Sequence, residues 1–256
     1  MVLVAIIAAA VGIPALIAHH NHKSRQSVLP FTGLKGPTAV AVDSAGDVYV
    51  VDELTSQVLK LAAGSTDLLV LPVEAPSPDN PTFMTSDPSG VAVDSAGDVY
   101  VAESHNNRVL KLAAGSTTPA VLPFTDLNEP KGVAVDSAGD VYVADRGSSR
   151  VLKLAVGSTT PAVLPFSDLE YINGVAVDRA GDVYVADSGN NRVLKLAAGA
   201  TTQNVLPFTK LNGLGGVAAD AAGDVYIADR GNSRVLKLPA GTTTQNVLPF
   251  SELNDP

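Results

Sequence analysis

The chain is 256 residues long, 46% hydrophobic, and has neither cysteine nor tryptophan. That length supplies one globular domain with a sizeable core, and the missing cysteines exclude a disulfide scaffold. A formal net charge of −9 speaks against a nucleic-acid binder, which needs a basic face.

The first element is a run of seventeen apolar or small residues from Val2 to Ala18. As a helix it would span about 25 Å, the lower limit for crossing a bilayer. Residues 1–18 are therefore expected to be a transmembrane anchor helix, with the apolar part of a signal peptide as the alternative reading. Residues 19–26, with His19, His20, His22, Lys23 and Arg25, form a juxtamembrane linker. By the positive-inside rule these two cations alone would put the main domain in the cytoplasm. Basic residues upstream of Met1 in a longer natural chain would reverse that, and the expectation is a single-pass membrane protein with its main domain on the extracytoplasmic side.

Residues 27–256 repeat one sentence. Gly-Asp-Val-Tyr recurs with its aspartate at positions 47, 98, 140, 182 and 224, in steps of 51, 42, 42 and 42 residues. Short β-type runs at that period predict an all-β propeller with one four-stranded blade per copy. In the fourth copy, Gly174–Asp178 reads as strand a, Asp182–Asp187 as b, Arg192–Leu196 as c and Asn204–Phe208 as d. Pro207 cannot donate to a ladder, so d belongs on the blade's edge. Strand b is apolar on both faces, as a sheet between two others should be, which makes Tyr49, Tyr100, Tyr142, Tyr184 and Tyr226 core candidates. Five complete blades are expected. A d-like run at Ser27–Phe31 with no partner strands before it, and a tail at 251–256 that resembles the lead-in to a strand a, suggest a six-bladed ring lacking most of its closing blade.

Gly-Val-Ala-Val-Asp, Gly-Asp-Val-Tyr-Val-Ala-Asp and Asn-x-Arg-Val together resemble the NHL repeat, with Ser188–Val193 a close match and Gln57 a departure at the arginine position of the first copy. Leu-Pro-Phe strands behind a single apolar anchor look like the extracellular sensor propeller of mycobacterial receptor Ser/Thr kinases of the D type. That resemblance implies a kinase domain upstream of the anchor. The chain itself has no glycine-rich nucleotide loop, no His-Arg-Asp and no Asp-Phe-Gly, so any kinase activity would reside in a segment outside it.

Charge pairs recur at the b–c hairpins: Glu103 with Arg108, Asp145 with Arg150, Asp187 with Arg192, Asp229 with Arg234. Repetition marks them as structural intra-blade clamps. Asp43, Asp94, Asp136, Asp178 and Asp220 close strand a; they either accept turn N–H groups or ring one end of the channel as ligands for a hard cation. The a–b and c–d turns are nearly uniform, whereas the b–c turns and d–a links vary, and the first link is nine residues longer. A varied end can be shaped to a partner. Phe83, Met84, His105, Arg146, Tyr171 and Arg230 are the first ligand-binding candidates there, His105 having no evident partner.

No catalytic residues, metal ligands or cofactors emerge. The expected function is a noncatalytic extracellular sensor propeller that binds an unknown ligand or protein, reaches the membrane through residues 2–18 and binds no nucleic acid. A metal-dependent lactonase- or lyase-like six-bladed enzyme is the alternative, although one Asn and one Lys at the entrances to strand a make no metal site. RNA-binding propellers form a third class, and they need a basic face that these loops lack.

Overall fold

The computed structural model describes residues 28–74, 87–250 and 253. The expected anchor helix and linker, Phe83, Met84 and most of the tail lie outside the described residues. Among the described residues the chain folds into five antiparallel sheets of four strands, each in the order a-b-c-d.

Alternation sets the strands. Strand b (Val48–Asp52, Val99–Glu103, Val141–Asp145, Val183–Asp187, Val225–Asp229) lies at the middle of each blade, buried along nearly all its length. Its tyrosine and alanine face one neighbour and its valines the other. Thus Tyr142, Ala144 and Val151 of the third blade pack with Val175, Val183, Val185 and Leu194 of the fourth. Leu164, Phe166 and Leu169, which follow the third blade's strand d, pack into the same seam. Both faces of a blade are apolar, so each sheet needs its neighbours to be stable in water.

Strand a (Pro37–Val42, Pro88–Val93, Pro130–Val135, Ile172–Val177, Leu214–Ala219) lines the bore. Neighbouring inner strands come so close that glycine is required. A Cβ on Gly132 would sit 3.0 Å from Gly174 Cα, and one on Gly174 would sit 3.0 Å from Val217 N. Gly90 repeats the pattern against Lys131 O. At Gly216 a Cβ would meet nothing within 4 Å. The bore also reaches Ala218 and Ala228 of the fifth blade.

Strand boundaries differ from the sequence expectation by one residue at the end of a and the start of b, and by more at the start of a and the end of d. Strand a starts two residues earlier than Gly174, at Ile172, with a register shift between them. Strand d is only Asn204–Val205 in the fourth blade, shorter than the run from Asn204 to Phe208. Leu206 N–H still reaches Val193 O at 2.8 Å, but Pro207 has no N–H and Phe208 N–H turns back onto Leu206 O at 2.8 Å. The same turn-back occurs at Phe31 on Leu29 O, and residues 28–31 form no strand among the described residues. The tail that would lead into a sixth blade lies, apart from Leu253, outside the described residues.

Candidate functional site

The two ends of the propeller are built differently. At the a–b/c–d end every blade repeats one network. Asp178 Oδ1 accepts the N–H groups of Ala180 and Asp182 at 2.9 and 3.0 Å, and its Oδ2 accepts the Tyr184 hydroxyl at 2.8 Å. Asp43, Asp94, Asp136 and Asp220 do the same with their own turns and tyrosines. Both oxygens of each carboxylate therefore hold the turn, and the side chains are spread among five separate blades. Beside each tyrosine, the lysine of strand c lies over the ring, 5.3 Å from the centroid for Lys195 on Tyr184, and pairs with the aspartate before strand b, 2.5 Å for Lys195 with Asp182. Burial and the neighbouring Asp178 push the Tyr184 hydroxyl up to about 12. The hydrogen bond from its lysine holds Asp47, Asp98 and Asp224 below the usual carboxylate range. At Asp140 and Asp182 burial pushes upward, but the lysine and a backbone N–H outweigh it. This network is scaffold.

At the b–c/d–a end the charge pairs fasten the links to the hairpins. Arg150, Arg192 and Arg234 donate Nε–H to Asp145, Asp187 and Asp229 at 2.7, 2.6 and 2.6 Å. A terminal nitrogen of each also reaches the carbonyl of Asp126, Asp168 or Lys210 in the preceding link. The other carboxylate oxygen accepts a link N–H, such as Glu170 N to Asp187 Oδ1 at 2.8 Å. The carboxylates are fully buried, while the guanidiniums are about a quarter exposed. Arg108 and Glu103 form the same pair with both partners buried. Burial raises Glu103, and Arg108 opposes it. In the first blade Asp52 takes the N–H groups of Lys35 and Gly36. These side chains hold the end of the propeller in place.

Above this frame lies a cavity of about 520 Å³, the mouth of the bore, within the range of small-molecule sites. Glu53, Ser89, Lys131, Arg146, Asn173 and Arg230 are among its lining residues. The first residue of each b–c turn is Glu53, Ser104, Arg146, Ser188 or Arg230, so equivalent positions carry different chemistry. Glu53 Oε1 lies 3.5 Å from Lys131 Nζ, linking the first blade to the third. Asn173 Nδ2 donates to Leu214 O at 2.8 Å and Ser89 Oγ to Pro130 O at 2.9 Å, which ties adjacent inner strands together.

Of the sequence candidates, Arg146 and Tyr171 come together, with the guanidinium 5.4 Å from the ring centroid. Arg230 lines the same cavity. His105 stands exposed on the second blade's b–c turn and, contrary to expectation, has a partner in the Asp87 carboxylate. Phe83 and Met84 lie outside the described residues. Sequence reasoning missed Lys131 and Glu53 as a pair, and no local signal joins residues 78 apart. It also missed that Tyr171 is held at φ +47°, although alignment with Gly213 of the next repeat (φ +56°) is a signal that could have shown it. Among the described residues there is no group of three or more His, Cys, Asp or Glu placed to hold a metal ion, and no helix long and apolar enough to cross a membrane.

The NHL repeat matches this chain at residues 85–112, 127–154, 169–196 and 211–238. The serine/threonine-protein kinase PknD of Mycobacterium tuberculosis is 52% identical over 78 residues; the match covers 28% of this chain and only 12% of the kinase. Among solved structures, a chain of the nidogen/laminin complex superposes with a TM-score of 0.75 at 17% identity, covering 90% of this chain and 86% of that one. Virginiamycin B lyase from Staphylococcus aureus superposes at 0.64 with 14% identity, covering 84% and 71%. At such identities these two likenesses concern the fold alone.

Proposed function

We propose, from the premise that the chain is an NHL-repeat β-propeller, that it is a noncatalytic sensor whose b–c/d–a end binds a ligand or a protein. The observation that carries this is the contrast between the ends. One end repeats a single closed network in all five blades, while at the other the first residue of the b–c turn is Glu, Ser or Arg from blade to blade, with Glu53, Arg146 and Arg230 lining a cavity. Drift in a loop that does nothing would vary too; the exposed Tyr171 ring against an arginine that lines the cavity favours a use for this end.

The 52% identity to a stretch of PknD supports a finer reading. In it the propeller is the extracytoplasmic part of a membrane-anchored receptor Ser/Thr kinase, held through residues 2–18, with its kinase domain in a segment outside this chain. The likeness to virginiamycin B lyase favours the enzyme alternative by fold only.

Antibody against the propeller, used on native cells, tests the finer reading. The expected result is a membrane-fraction protein well above 26.1 kDa that external protease trims without lysis. A protein of 26.1 kDa recovered in the cytosol overturns it.

A further inference from the structure

We propose that the mouth of the bore receives an oxyanion, the carboxylate or phosphate group of a small ligand, with Arg146 as its principal contact and Lys131 and Arg230 as further cations of the same cavity. This deepens the sensor reading and rests on it.

Charge is the first observation. The whole chain carries −9, yet the cavity lining holds three cations, Lys131, Arg146 and Arg230, against one acid, Glu53. That acid lies on Lys131. A cleft of one sign with low-dielectric walls concentrates ions of the other sign. The alanine and valine side chains of the five inner strands, such as Val91, Val133 and Val175, supply such walls here.

The second observation concerns how Arg146 is held. Arg150, Arg192 and Arg234 spend their N–H groups on a buried carboxylate and a link carbonyl. Arg146 rests on the Tyr171 ring, a contact with the flat face of the guanidinium that consumes no N–H. Its Nε is buried and has no hydrogen-bond partner among the described residues. Buried donors are nearly always satisfied, so this orphan marks a guanidinium whose hydrogen-bonding capacity the described residues do not use up. A carboxylate or phosphate fits the guanidinium fork with two parallel bonds.

The third observation is the side chain chosen on the link. Tyr171 is 58% exposed, and its left-handed backbone is shared by the equivalent Glu129 (φ +49°) and Gly213 (φ +56°), so that conformation belongs to the repeat. What sets this blade apart is an exposed ring lying against the arginine of the b–c turn. The ring orients Arg146 before the ligand arrives.

The test uses the full chain at low ionic strength, with isothermal titration and backbone NMR shifts. The probes are inorganic phosphate, citrate and, as a neutral control, glucose. Phosphate, citrate or both should bind with shifts at the b–c turns, weaken as salt rises, and leave glucose silent. Phosphate alone identifies a phosphoryl ligand, citrate alone a carboxylate. Arg146→Gln should weaken binding at least about tenfold with an unchanged melting temperature, Arg146→Lys should recover part of it, and Arg179→Gln, on an exposed turn at the opposite end, should change nothing. Binding that Arg146→Gln does not weaken, or no binding of either anion, overturns the proposal. Anion shifts confined to the a–b and c–d turns overturn both it and the sensor reading. Glucose shifts at the mouth without anion shifts overturn only the anion class.

Discussion

Alanine at Gly132 and alanine at Gly216 are the same substitution at the same repeat position, and the structure gives them opposite signs. At Gly132 the new methyl meets backbone, Gly174 Cα and Val175 N both at 3.0 Å, which cannot rotate away. Overpacking of this kind costs about 1–3 kcal/mol, and the reduced freedom of the unfolded chain returns about 0.4–1. The net loss is about 1–2 kcal/mol, or about 2–8 °C in melting temperature for a chain of this size. At Gly216 nothing lies within 4 Å and the backbone is not left-handed, so only the unfolded-state gain of about 0.4–1 kcal/mol remains. Calorimetry on the two variants of the 256-residue chain should therefore show one midpoint fall and the other hold or rise, about 2 kcal/mol apart. Equal losses would refute the reasoning, because they would mean that Gly216 too is pressed against another strand.

Removing Arg192 as Arg192→Ala strands the fully buried Asp187 carboxylate and should cost about 2 kcal/mol, less than the roughly 3–5 of a pair buried on both sides because the arginine is partly exposed; urea denaturation reads it, and a double variant with Asp187→Ala should lose less than the single. Acid should destabilise the protein through Asp47, Asp98, Asp140, Asp182 and Asp224, all held low in the folded state. The unfolded chain takes up their protons first, so their contribution is full above the ordinary carboxylate pKa and is lost as pH falls through the lowered values. Urea midpoints from pH 7 to pH 3 should decline, and less steeply when the five strand-c lysines are glutamine. Tyr171→Gly should stay within about 1 kcal/mol of wild type, since relief of the left-handed backbone offsets the lost ring contact with Arg146; a larger loss on thermal melting would show that Tyr171 is a packing residue.

Repetition makes the blades legible. Strand c of the fourth copy, Arg192–Leu196, has the same bounds in sequence and structure because its apolar pattern starts and stops sharply. Strand d reads as too long because Leu-Pro-Phe is apolar enough for a strand, while the missing Pro207 N–H ends the ladder. The two-sided apolar setting of the tyrosines places Tyr49, Tyr100, Tyr142 and Tyr184 in the core, whereas Tyr226, on the last blade, is only half-buried because no described sheet packs on that face. Their hydroxyl bonds to the strand-a aspartates depend on how the turn folds back, which spacing does not encode. The b–c charge pairs lie five residues apart and stand out at once, whereas the link carbonyls they also hold are 24 residues away. The site is half visible: Arg146 and Tyr171 stand out because their turns vary between copies, but only the folded blade brings the guanidinium over the ring. Glu53 and Lys131 meet across the bore, a contact that only the curved stacking of the sheets creates.

The glycine rungs have one more consequence. Because the seams from the second blade to the fifth repeat the same glycine contacts, a shift of 42 residues maps those contacts onto the next seam. Such a molecule can lose or duplicate a module, when its gene misaligns on itself during copying, and keep most of its interior contacts. The number of modules is then free to drift while the joints stay constant, and the rim residues are what tell one module from another.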